Sequence, residues 1–172
     1  MVRPVGRYAR LKTVAKFAAT LVGIVVAQGI LTRYFQVFEN FDLPLIYSIY
    51  YGFTLANPVG SIAVGSALGL LQDSLSGAAL GTNGFSKTLI SFLAASAGSK
   101  FDVDQSVTRI LALILFTFID AVLKVIIGSL VQPEGVSLYG VTLGAWTLSA
   151  AFNVSCGMIL FGYRNRLSNA TT

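Results

Sequence analysis

Histidine is absent from this chain, and cysteine occurs once, at Cys156. Without imidazole, and with its one thiol inside an apolar segment, the chain can form neither a disulfide framework nor nearly any of the common metal sites. Charge is also scarce: 11% of the 172 residues are Asp, Glu, Lys or Arg, against 55% hydrophobic. A soluble domain of this length cannot hide so much apolar surface, which leaves a single bilayer-embedded helical domain as the class. Catalytic groups are equally thin. Acid–base or nucleophilic catalysis needs a histidine, a perturbed lysine or carboxylates within mutual reach, and the one close acid pair, Asp102 and Asp104, lies in a hydrophilic loop. Phosphate-binding loops and dinucleotide fingerprints are missing too. The sequence therefore reads as non-enzymatic, with no catalytic residue, cofactor or metal.

What is present is ordered by position. The formal charge is +5, but the basic residues collect at segment ends and do not interleave with aromatics on one face, which argues against nucleic acid as a partner. A basic N-terminus, 1–16, precedes apolar segments at about 17–32, 38–56, 59–75, 84–98, 107–131 and 138–163, and a tail covers 164–172. No small-residue cleavage site follows the first segment, so it reads as an uncleaved span. The expectation is an all-α membrane protein, a bundle of six transmembrane helices. A four-span alternative treats the short segments as re-entrant. The second segment is the shortest: Leu43 to Ala56 covers only about 21 Å as a helix, so it begins near Phe38, is broken, or lies where the membrane is thin. Pro44 suits a first helical turn and Pro58 a turn between helices, since neither has an N–H to donate.

With the N-terminus inside, the cytoplasmic basic residues are Arg3, Arg7, Arg10, Lys12, Lys16, Lys100, Arg109, Arg164 and Arg166. Arg33 and Lys87 fall outside with Glu39, Asp42 and Glu134, and Lys124 lies within the fifth segment. This asymmetry predicts both termini in the cytoplasm. The basic ends can also meet anionic lipid, each charge adding about 1 kcal/mol near the surface.

Five residues spaced by four, Gly65, Gly69, Asp73, Gly77 and Gly81, form the sharpest pattern. Small residues at this spacing admit another helix close to the backbone. A carboxylate near hydrocarbon costs from about 3 to more than 10 kcal/mol, so Asp73 needs a partner or a function. Beyond Leu75 the composition turns irregular, and such backbone survives at membrane depth only inside protein or beside water. Asp73 is expected to accept hydrogen bonds from the turn between Gly77 and Ser86, with a ligand or proton site as the other reading. Asp120 and Lys124, four apart, face each other on one helix; they are either a self-neutralised pair or an interhelix contact of Asp120 with Gln28, Asn153 or Ser155. Tyr47, Tyr50, Tyr51, Tyr139 and Trp146 read as interfacial anchors.

The run PVGSIAVGSALGLLQDSLSGAALGTNGFSKTLISFLAA resembles the central motif of the MreD family of bacterial rod shape-determining membrane proteins, at Gly69, Leu71, Asp73, Leu75, Ser76, Gly77, Leu80 and Gly81. Gln28, Pro44, Pro58 and Asp120 agree further. The resemblance implies a six-helix fold similar to the substrate-binding components of energy-coupling-factor transporters. It also implies a scaffold role in the cell-elongation machinery of the cytoplasmic membrane. Partners would be MreC, through its transmembrane helix, with MreB, RodA and a class B penicillin-binding transpeptidase in the same peptidoglycan-synthesising assembly. Lys124 and Arg109 match nothing in that pattern and receive no role. A small-solute-binding transporter component is the alternative function, prompted by the same architecture and by Asp73.

Overall fold

Prolines and polar caps set where the helices begin. The computed structural model describes residues 5–34, 41–55, 57–77, 79–100, 105–131 and 143–170, with side chains for 11–34, 41–55, 57–77, 79–100, 105–131 and 147–162. These form α1 (Val5–Tyr34), α2 (Leu43–Leu55), α3 (Pro58–Ser76), α4 (Thr82–Gly98), α5 (Ser106–Val131) and α6 (Leu143–Ala170). No strand occurs among the described residues. Arg3, Glu39, Asp102, Asp104, Glu134 and Tyr139, and the side chains of Arg7, Arg10, Trp146, Arg164 and Arg166, lie outside what is described.

The helix α2 starts at Leu43, directly after its cap: Asp42 Oδ1 accepts from the Leu45 amide at 2.9 Å. Pro44 then occupies the first turn, where its missing N–H leaves nothing unpaired. Asn57 caps α3, accepting from the amides of Val59 at 3.1 Å and Gly60 at 3.4 Å, with Pro58 as the first helical residue. α3 stops at Gly77, whose φ of 67° lies in the left-handed region that glycine adopts without strain. Gly81, at φ 101°, leads into α4.

Among the described residues, two helices are long and apolar enough to cross a membrane, α5 and the Leu11–Tyr34 part of α1. α2 and the Thr147–Gly162 part of α6 are apolar but shorter. α4 is the central helix: α3 makes its largest packing interface with it, α2 covers a second side, and α5 lies against a third. α1 packs on α2 and α3, and α6 packs on α5 and α2.

One apolar cluster joins α2, α4, α5 and α6 through Leu45, Ile49, Phe53, Ile90, Leu113, Phe116 and Phe161. A smaller one, Leu21, Val25, Val64 and Leu68, seals α1 onto α3. Tyr50 sits edge-on to Phe161 at 5.2 Å, and Tyr47 stacks on Tyr51 at 6.1 Å, so these tyrosines also serve internal aromatic packing. Arg109, buried at the start of α5, lies 5.0 Å over the Phe161 ring.

Burial is inverted relative to a water-soluble fold. Val22, Val26 and Ile30 on α1 are exposed, as are Leu111, Ile114, Leu115 and Phe118 on α5, whereas Asp73, Lys87, Asp120 and Asn153 are buried. Water would penalise both choices, and hydrocarbon outside favours both.

Candidate functional site

Two lysines and two carboxylates meet inside the bundle. Lys87 of α4, with no exposed side-chain surface, donates to Asp42 Oδ2 at 2.9 Å and to Asn83 Oδ1 at 3.1 Å. Lys124 of α5 donates to the same Asp42 oxygen at 2.9 Å and to Asp120 Oδ2 at 2.7 Å. The Ser86 hydroxyl donates to Asp120 Oδ1 at 2.5 Å. Two positive and two negative groups therefore neutralise one another. Stripping water from each ion costs several kcal/mol, which only good geometry and filled lone pairs offset.

Amides and side chains from the other helices complete the arrangement. Asn153 of α6 accepts from the Asp42 amide at 3.2 Å and donates to Thr117 at 3.3 Å. Gln28 of α1 accepts from the Leu43 amide at 3.1 Å and donates to the Phe41 carbonyl. These two amide side chains hold the segment before α2, so Asp42 is presented to both lysines from a fixed backbone.

Asp73 closes the network on α3 by a different device. Its two oxygens accept from the backbone amides of Gly81 at 2.9 Å, Asn83 at 3.0 Å and Gly84 at 3.0 Å, and from the Asn83 side chain at 2.9 Å. The amides belong to the start of α4, whose first N–H groups have no helical partner. A carboxylate there also meets the positive end of the helix dipole. Asn83 thus links the two halves, donating to Asp73 and accepting from Lys87.

The glycines of the ladder divide into two jobs. A Cβ at Gly65 would stand 2.8 Å from Ser91 Cβ, and one at Gly69 would stand 2.6 Å from the Asn83 carbonyl carbon and from Gly84 Cα. The helix they admit is therefore α4 of the same chain, which covers this face of α3. Gly77 and Gly81 instead supply the left-handed corners of the turn that Asp73 holds. Gly52 of α2 also lies close against α4, 2.8 Å from Ala94 Cβ for an added Cβ.

Beside the network lies a cavity of about 820 Å³. Gln28 and Arg33 of α1, Asp120 and Lys124 of α5 and Asn153 of α6 line it, along with apolar Val25, Leu75 and Val125. Among the described residues, α1 touches neither α5 nor α6, so the cavity opens between them.

Asp120 does form its pair with Lys124, but its interhelix contact is Ser86 and not Gln28, Asn153 or Ser155. Ser155 bonds to the Ala151 carbonyl on its own helix at 2.8 Å. Lys87 and Asp42, counted in the sequence only by the side of the membrane on which they fall, are buried and paired with each other. The signal for Lys87 was available: Asn83 and Lys87 stand four apart at the start of an apolar segment, the same one-face spacing that marked Asp120 and Lys124. Nothing local marked Asp42, whose cations arrive from positions 45 and 82 residues away.

A family model described as rod shape-determining protein MreD matches residues 11–164. The chain belongs to the MreD family. The match includes every residue of the network and of the α3–α4 turn, and membership gives the chain a role in rod-shape determination as a membrane-associated protein. No curated protein and no solved structure matches it.

Proposed function

We propose that this chain is a non-enzymatic, six-span subunit of the bacterial cell-elongation complex in the cytoplasmic membrane, with both termini in the cytoplasm. In this role it binds the transmembrane helix of MreC and helps couple MreB filaments to peptidoglycan synthesis by RodA and a class B penicillin-binding transpeptidase. The observation that carries the reading is the inverted burial, charged groups within and Leu, Ile, Val and Phe without, in a chain of the MreD family. A scaffold needs a rigid interior and apolar outer faces that other helices can cover. The interior is supplied by the ion network and the glycine seams.

Because the small-residue face of α3 is occupied by α4, partner contact falls to outward surfaces such as Val22, Val26 and Ile30 on α1 or Leu111, Leu115 and Phe118 on α5. Membrane helices associate there through dispersion contacts and not through water exclusion. The test is depletion of the protein in a rod-shaped host, followed by microscopy and co-purification of MreC. Rounded cells, rescued by the intact chain and not by one whose outward α1 or α5 residues are enlarged to tryptophan, are expected. Normal rods after depletion, or MreC recovery indifferent to every outward substitution, sinks the proposal.

A further inference from the structure

We propose that the cavity between α1, α5 and α6 binds an amphiphile with an acidic head, phosphate or carboxylate, held by Arg33 and Lys124. This goes beyond the scaffold role and does not depend on it. Both carboxylates in the lining are already satisfied. Asp42 holds two ammonium groups and the Leu45 amide, and Asp120 holds Lys124 and the Ser86 hydroxyl. The cations are not. An ammonium has three N–H donors, and Lys124 spends two of them, on Asp42 and Asp120. Its side chain is 32% exposed, against 0% for Lys87, 12% for Asp42 and 6% for Asp120, so of the charged members of the network it presents the most surface to the cavity. Arg33, also in the lining, has no ion pair among the described residues. Its planar fork matches a phosphate or carboxylate.

The rest of the cavity fits an attached apolar chain. Its volume is in the range of sites for organic ligands, about 300–1,000 Å³, and far exceeds what a bare ion fills. Val25, Leu75 and Val125 provide apolar wall, and α1 and α5, which both line the cavity, carry the exposed Val22, Val26 and Phe118 elsewhere on their surfaces. A head drawn to the lysine can leave its tail along the opening between these helices. The open, polar-floored cavity is also what the solute-binding alternative would need, but its unspent donors specify the charge of the ligand.

The full chain, purified in a non-ionic detergent, is titrated with dodecyl phosphate, dodecyltrimethylammonium and inorganic phosphate, with binding followed by calorimetry and by the unfolding temperature. Saturable binding of dodecyl phosphate is expected, weakened about tenfold by Arg33→Gln, the loss of roughly one charge-assisted contact. Ala121→Leu, which adds volume inside the lining, is expected to weaken it comparably while the ligand-free protein keeps its unfolding temperature. Equal binding of the cationic detergent, or binding unchanged in both variants, overturns the proposal. Inorganic phosphate binding as tightly as dodecyl phosphate assigns the site to a free anion and overturns the amphiphile.

Discussion

Asp73 and Asp42 are both carboxylates placed in an apolar bundle, and their surroundings differ in kind. Asp73 is held by amides: three backbone N–H groups and one side-chain amide, all within eleven residues of it. Asp42 is held by ammonium groups from two other helices, and both arrive at one oxygen. The first arrangement is a local clasp that fixes a turn. The second ties together α2, α4 and α5, elements remote along the chain. A local clasp demands only that the turn form, whereas the ion network demands that three helices be correctly placed at once, so the second is where the tertiary fold is most exposed to damage.

The largest effect is expected from Asp42→Asn. Removing the shared anion leaves Lys87 buried without a charge partner, and breaking one side of a buried pair costs about 3–5 kcal/mol. Denaturant unfolding in detergent measures it, and adding Lys87→Met should recover part of the loss. If the double variant is as unstable as the two single losses added, the two groups are not coupled and the comparison fails.

Asp73→Ala comes next, at about 3 kcal/mol, since unpaired buried amides cost about 1–3 kcal/mol apiece and their penalties do not add fully. Its signature is positional: hydrogen exchange at Gly81, Asn83 and Gly84 should speed up while the amides of Leu45 and Ile46 stay protected. Faster exchange in both regions would mean that the clasp is not local. Asp73→Asn, which keeps one oxygen, should lose less.

Gly69→Ala places a methyl against the backbone of Asn83 and Gly84, which cannot move aside as a side chain would. Overpacking of this sort costs about 1–3 kcal/mol. Gly77→Ala meets no atom and is opposed only by its left-handed φ, at about 1 kcal/mol. Gly23→Ala, with open space around it on α1, should leave stability unchanged or raise it by up to about 1 kcal/mol through helix propensity. Should Gly23 prove as sensitive as Gly69, close approach of α3 to α4 is not what the ladder is for.

Much of the Asp73 region was legible because its causes are close in sequence. The four-residue spacing put the small residues and the acid near one face, and the switch from helical to irregular composition after Leu75 marked the backbone that would need an acceptor. Pro44, read as a first-turn residue, does sit in the first turn of α2, and Pro58, read as a turn residue, is the first residue of α3; in both cases a missing N–H acts on its own turn. The pairing of Lys87 was not legible, because sorting charges by side of the membrane assigns a lysine no partner. Its partner, Asp42, lies on the far side of α3 in sequence.

By itself, then, the sequence determined a helical membrane class, the glycine ladder and an acid that must be satisfied within a few residues, since these follow from composition and short-range geometry. Only the tertiary structure decided that the ladder faces α4 of the same chain, that Ser86 completes Asp120, and that two lysines converge on one oxygen of Asp42. Those outcomes depend on how helices from distant parts of the chain are arranged about α4, and a buried charge has no preferred partner until that arrangement brings one within reach.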